Sequence, residues 1–226
     1  MDNLRSLIRE IVEETEVTEP ISPDAIIFCD MDGVLVNFGA AIINLLNDLL
    51  DGGKLVGVSR SKGHFARMRN VQSKLGVDWR AKTRADLDIK PVRNFMFGAV
   101  GANPGPVFAS MPPHQDAISA LWPFLNSTGH TVVLLSAPIT SRPGSIMTAA
   151  EGKELWAQQL KPSPSDIIIT PAASKPQYAV TNGIKNILID DKVSTVDAWN
   201  DRGGIGILHQ PGNSSSTIDT LVKLGL

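Results

Sequence analysis

A single cysteine, Cys29, stands in the whole chain. One thiol can form no intrachain disulfide and cannot supply the ligand set of a structural zinc site, so neither device staples this protein. Such sparing use of cysteine agrees with a reducing compartment. No run of about 18 apolar residues occurs, which leaves no candidate for a membrane-spanning helix. The N-terminus, Met1-Asp2-Asn3 followed by Arg5, Glu10, Glu13 and Glu14, lacks the cationic-then-apolar order of a signal peptide. A cytoplasmic protein with no membrane partner is expected. Gly52-Gly53-Lys54 lacks the preceding glycine of a P-loop, and Gly203-Gly204-Ile205-Gly206 follows a helical pattern, which makes it a turn and not a dinucleotide fingerprint. His64, His114, His130 and His209 are scattered without metal-ligand spacing. No segment repeats or is of low complexity.

What is present is a chain that is 42% hydrophobic and 19% charged, enough for one substantial core or for one core with a small inserted subdomain. Its net charge of -2 hides an uneven distribution. Between Lys54 and Arg93 eleven Lys or Arg face three acids, which leaves +8 there and -10 elsewhere. A solvated helical surface and a region that meets an anion both account for this asymmetry.

Residues 3–14 place Leu4, Leu7, Ile8 and Ile11 at helical spacing, and the segment to Pro23 reads as a linker, so residues 1–23 form an appended helix and tether. Docking of this helix on its own domain is the simpler expectation, with recruitment of a partner left open. From Ala25 to Asp30 a short apolar run ends in a carboxylate, the pattern of a strand buried on both faces. Similar runs cover Thr131–Leu135 before Ser136, Asp166–Ile169 before Thr170, Ile184–Ile189 before Asp190-Asp191, and Ile205–Leu208. Helical stretches over Pro113–Leu125, Thr148–Leu160 and Val193–Asp201 alternate with them, which predicts an α/β fold with a doubly wound parallel sheet. Residues 37–111 interrupt the alternation with helical patterns over Phe38–Leu50 and Ser61–Leu75. They read as a helical insert after the first strand, leaving residues 24–36 and 112–226 as the core. In an open α/β sheet ligands bind at the carboxyl ends of strands, so an insert there is placed to cover the site.

Three predicted strands end in polar groups: Asp30 with Asp32, Ser136, and Asp190 with Asp191. Ends of parallel strands lie side by side, so these groups should converge. Several carboxylates around one point repel one another unless a cation sits among them, and an all-oxygen donor set suits a hard ion such as Mg2+. Asp30 and Asp32 are spaced by one residue before Gly33, which permits a tight turn. With both carboxylates facing one pocket, one can attack phosphorus while the other donates a proton to the leaving oxygen and later deprotonates water. Met31, between them, is expected to point into the protein, and Cys29 to be packed and unreactive.

Taken in order, Cys29–Val36, the strand end at Leu134-Leu135-Ser136, a following lysine, and Ile187–Asp191 resemble the four motifs of the haloacid dehalogenase superfamily. The resemblance implies Asp30 as a nucleophile forming an aspartyl-phosphate and as a metal ligand, with Asp32 as general acid/base binding metal through its carbonyl. Ser136 would then hydrogen-bond the phosphoryl oxygens, while Asp190 ligates Mg2+ directly and Asp191 acts through water. Lys153, Lys175 and Lys185 are candidates for the third motif. Lys153 is preferred because its helix follows the Ser136 strand, and Lys185 sits at the wrong end of the next one.

Within that superfamily Asp32-Gly33-Val34-Leu35 with Phe38, Ser136-Ala137-Pro138, Gly152-Lys153-Glu154 with Trp156, and Ile189–Lys192 look most like the 5'(3')-deoxyribonucleotidase group. The likeness implies a base pocket at Phe38 and substrate contacts at Ala137 and Lys175. Ala137 departs from the group's second hydroxyl, which weakens any inference to a particular nucleotide. Phe65, Trp79, Phe95, Phe97 and Phe108 could stack a base or fill the insert's own interior. The expected partner is a small phosphorylated substrate such as a nucleoside monophosphate. Two alternatives stand beside it: a nucleic-acid 3'-phosphatase using the basic insert, and a non-catalytic protein on the same scaffold. All three require Asp30 and Asp190 to lie within a metal-bridging span, on the order of 5 Å.

Overall fold

The computed structural model describes residues 20–52, 62–101, 104–139 and 147–226. The predicted N-terminal helix and the basic residues Lys54 and Arg60 lie outside the described residues. The core is a mixed α/β fold on a five-stranded parallel sheet. Strand β1 (Ile26–Cys29) is central, flanked by β2 (Thr131–Ser136) with β3 (Asp166–Ile169) beyond it, and on the other side by β6 (Ile187–Asp190) with β7 (Ile205–Leu208). Every pair in this sheet is parallel.

The strands read as unbroken apolar runs because both faces are covered. On one face Ile27, Cys29, Val132, Leu134 and Ile189 pack with Leu121, Trp122 and Leu125. On the other, Phe28, Val133, Leu135 and Leu188 meet Trp199 and Tyr178, with the Phe28 ring 5.5 Å from Trp199 and 5.7 Å from Tyr178. Three tryptophans are buried without stranding their polar edge. The indole N–H of Trp122 donates to the Pro162 carbonyl, that of Trp156 to Met111 and that of Trp199 to Asn186.

One predicted strand is two. Ile184–Ile189 divides into β5 (Ile184–Lys185), paired antiparallel with β4 (Val180–Thr181), and β6 of the main sheet. Asn182 and Gly183 join β4 to β5 with φ of 51° and 82°, the backbone that a two-residue Asn-Gly hairpin demands. Asn186 makes the break. Fully buried, it accepts from the Ile26 amide and donates to the Tyr178 carbonyl and the Thr181 hydroxyl, bonds that a residue in a regular ladder could not collect.

From 38 to 109 the regular elements among the described residues are all helical. Helix α1 (Phe38–Leu50) starts at Asn37, whose side chain accepts from the Ala40 amide, and it buries Ile42, Leu46, Leu49 and Leu50. Helices α2 (Lys62–Leu75), α3 (Lys90–Val100) and α4 (Pro104–Ala109) follow, with a 3-10 turn at Arg84–Asp88. The helix predicted over Pro113–Leu125 begins later. It passes through a π turn at Ala117–Leu121 into α5 (Trp122–Ser127), and this widened turn accommodates Pro123, which has no N–H for a regular helical bond. Helix α6 (Ala149–Ala157) opens with a reciprocal Thr148–Glu151 cap. It crosses α4 so closely that a Cβ on Gly152 would meet the Gly105 carbonyl oxygen at 2.1 Å. Helix α7 (Val193–Asp201) matches its predicted span, and α8 (Ser214–Lys223), which the apolar pattern did not bring out, closes the fold from an Asn213 cap. No helix among the described residues is long and apolar enough to cross a membrane.

Candidate active site

Parallel register sets the site. Cys29 stands opposite both Leu134 and Ile189, and the Asp30 amide donates to the Ile189 carbonyl at 2.9 Å. Asp30 and Asp190 therefore emerge at one level from adjacent strands. Beyond Asp30 the chain folds back on itself, with the amides of Leu35 and Val36 both donating to the Met31 carbonyl. Gly33 makes the turn possible: its φ is +85°, and a Cβ there would meet Asp191 Oδ2 at 2.2 Å. Met31 and Cys29 are buried, and burial pushes the Cys29 thiol far above its ordinary value, so it is no nucleophile.

Asp30, Asp190 and Asp191 each offer one carboxylate oxygen, and these atoms lie within 4.8 Å of one another. The span required by the motif reading is met. Two lysines divide the acids between them. The ammonium of Lys175, on the 3-10 segment Ala172–Tyr178, donates to Asp190 Oδ2 at 2.7 Å and lies 3.1 Å from Asp30 Oδ1. That of Lys153 donates to Asp32 Oδ2 at 2.6 Å, to Ser136 Oγ at 2.8 Å and to the Ala137 carbonyl at 2.8 Å, 4.9 Å from the centre of the Phe108 ring. The preferred candidate for the third motif thus holds Asp32, and Lys175 is the lysine beside Asp30. The difference has a packing cause: α6 comes up against α4 at Gly105 and Gly152, on the Asp32 side of the site. Lys185, in β5, is exposed, as its place before the strand predicts.

Burial raises Asp32 above the ordinary carboxylate range against the pull of Lys153. Burial and the neighbouring Asp30 do the same to Asp190. Burial works against the charge of Lys175, but Asp30 and Asp190 outweigh it and hold the ammonium above its ordinary value. Although Lys175 is near, Asp30 Oδ1 lacks a hydrogen bond of acceptable geometry, and Asp32 Oδ1 is likewise buried without a donor. Lys192 also lines this cavity, so four carboxylates meet three lysines and the acids remain in excess. Orphaned buried oxygens and an all-carboxylate donor set fit a hard divalent ion held by Asp30, Asp190 and Asp191.

A cavity of about 240 Å³ opens over these groups, walled by Asp30, Asp32, Phe38, Ala137, Lys175 and Asp190 among others. Phe38 is half-buried and stacks on Phe108 with ring centres 6.1 Å apart. Ser136 and Lys153 are fully buried behind the wall and not part of it. Thr195, at the start of α7, is a cavity residue that the sequence reading missed, since no spacing rule ties it to the strand ends. Of the insert's aromatics, Phe95 and Phe108 are buried, Trp79 is half-buried, Phe97 is exposed, and the Phe65 side chain lies outside the described residues. A larger cavity, about 700 Å³, opens elsewhere, between Ile21 and the start of β7, and its walls hold no carboxylate. The carboxylate group borders the smaller one.

No family model matches this chain, and no curated protein matches it. Several solved structures are similar to it. A haloacid dehalogenase superfamily hydrolase, subfamily IA, variant 1, from Geobacter sulfurreducens is 10% identical, with a TM-score of 0.46 over 90% of this chain and 99% of that one. A hydrolase from Streptococcus pneumoniae TIGR4 is 12% identical, with a TM-score of 0.44 over 88% of this chain and 100% of that one. A defluorinating L-2-haloacid dehalogenase is 13% identical, with a TM-score of 0.44 over 85% and 74% of the two chains. At these values nothing about chemistry passes from them to this chain, whose own side chains must carry it.

Proposed function

We propose that this protein is a Mg2+-dependent phosphomonoester hydrolase working through an aspartyl-phosphate. The observation that carries the reading is the meeting of Asp30, Asp190 and Asp191 within 4.8 Å, with a buried Asp30 oxygen left without a donor. Asp30 attacks phosphorus as the bond to the leaving oxygen breaks, and Asp32, its carboxyl raised by burial, delivers the proton to that oxygen. Asp32 then takes a proton from water as the water oxygen attacks the same phosphorus, which frees inorganic phosphate and regenerates the Asp30 carboxylate. A divalent cation held by the three carboxylates supplies charge neutralisation for the transferring group. Lys175 stands beside the nucleophile, while Lys153 orients Asp32 and fixes Ser136.

A nucleoside monophosphate is the substrate class we favour, with the Phe38 ring as its stacking surface. The 240 Å³ cavity is below the roughly 300 Å³ at which ligand pockets commonly begin, so it suits the phosphoryl group and its neighbouring sugar, with the base at its mouth against the Phe38 wall. Steady-state release of phosphate from dUMP and dTMP, with Mg2+ and after chelation, tests both levels. Activity lost on chelation and in Asp30→Asn supports the hydrolase. Turnover of p-nitrophenyl phosphate without turnover of the nucleotides would retain the hydrolase and reject the nucleotidase. Activity unchanged in Asp30→Asn would remove the whole reading.

A further inference from the structure

Helices α2 and α3 pack against each other, and between them they contain six Lys or Arg and neither Asp nor Glu. Arg67, Arg69, Lys74, Lys90 and Arg93 form no ion pair among the described residues. Arg80, a little further on, is matched by Asp51, whereas these five have no acidic partner among the described residues. An acid-free pair of helices is unfavourable to assemble, since like charges at close range repel. An anionic partner brought to this face would relieve it.

The shape of the face narrows the partner. A groove of about 390 Å³ runs between the two helices, walled by Arg67, Asn70, Pro91, Asn94, Phe97 and Gly98. Arg67 and Asn70 are one helical turn apart on α2, as Pro91, Asn94 and Phe97 are on α3, so each helix presents one face to it. Arg67 lies against Gly98, where a Cβ would meet its guanidinium at 2.5 Å, so the glycine leaves the arginine room beside the α3 backbone. Phe97 is 48% exposed, the largest aromatic exposure among the described residues. An arginine in the groove on two acid-free basic helices, an exposed ring and two side-chain amides match the means by which proteins hold single-stranded nucleic acid: backbone charge, base stacking and base-edge hydrogen bonds. A lipid surface would call for several apolar groups where the groove offers Phe97 and Pro91, and an acidic peptide would gain nothing from the ring.

We infer that the α2–α3 groove binds single-stranded nucleic acid, with Arg67 on the phosphates and Phe97 stacked on a base. The groove shares no lining residue with the carboxylate cavity, and the inference does not rest on the hydrolase reading.

The test is fluorescence anisotropy of the full chain with a labelled single-stranded oligonucleotide of about 12 nucleotides, a length within the usual site sizes, lacking a terminal phosphate so that no turnover intrudes. Binding should weaken about tenfold or more between roughly 50 and 200 mM salt, as expected for about three neutralised phosphates. Phe97→Ala should weaken it about tenfold, the loss of one stacked base, and Arg67→Glu should weaken it further and flatten the salt dependence. Circular dichroism melts of each variant establish that it is folded, and Asn94→Ala offers a second probe should either fail. Absence of binding at low salt overturns the inference. So does equal affinity for polyglutamate unaffected by Phe97→Ala, or preferential binding to phosphatidylserine vesicles.

Discussion

Replacing Lys153 by methionine keeps most of its length and removes its charge, and the structure sets both the size and the pH dependence of the outcome. The ammonium is fully buried and serves three acceptors, the nearest being Asp32 Oδ2 at 2.6 Å. Removing one partner of a buried ion pair costs about 3–5 kcal/mol because the other charge is stranded. The Asp32 side chain is 27% exposed, so water replaces part of the loss and about 2–3 kcal/mol is the expected destabilisation near neutral pH. The sign with pH follows from Asp32. Its carboxyl is raised in the folded protein, and Lys153 is the main influence holding it down. In Lys153→Met the carboxyl rises further above its unfolded value, so the variant is penalised where Asp32 must ionise and spared where it stays protonated. The gap between wild type and variant in urea unfolding, measured with chelator, should therefore be small near pH 4 and grow as pH rises to 8. Pairing the change with Asp32→Asn should recover about 2 kcal/mol relative to the sum of the single changes. A gap that is constant with pH, or additive effects in the pair, would refute the assignment of Lys153 to Asp32.

Gly33→Ala places a Cβ at φ +85° against Asp191 Oδ2, so it should cost about 1–2 kcal/mol of stability from the left-handed backbone alone and weaken Mn2+ binding, read by calorimetry; unchanged metal affinity would separate Asp191 from the metal group. His209, buried on Thr217, has its imidazole lowered by burial to about 4, so the folded protein resists a proton that the unfolded chain accepts. Stability should be complete above about pH 6.5 and fall by up to about 3 kcal/mol as pH drops towards 4, and thermal melts of His209→Gln should show a shallower acid decline than wild type.

The strands and the carboxylates at their ends could be read from the letters alone, because both are local patterns. A strand buried on two faces must be apolar throughout, and a run that stops at Asp30 or Asp190 marks its own carboxyl end. Parallel register then leaves those two acids side by side without further choice. The Asn182-Gly183 turn is also present in the letters, just ahead of the Ile184–Ile189 run, but the partner strand Val180–Thr181 is too short to carry an apolar pattern of its own. Other features were decided only in three dimensions. Position along the chain favours Lys153 over Lys175 for the third motif, but which acid each meets depends on how closely α6 approaches α4 and on where the 3-10 segment after β3 lies. Ser136 carries the right hydroxyl at the right strand end, but whether it faces the cavity or stands behind its wall depends on Lys153 arriving to bond it. A strand's end is a property of its own residues, whereas the reach of a long side chain from a neighbouring helix is a property of packing between segments far apart in the chain.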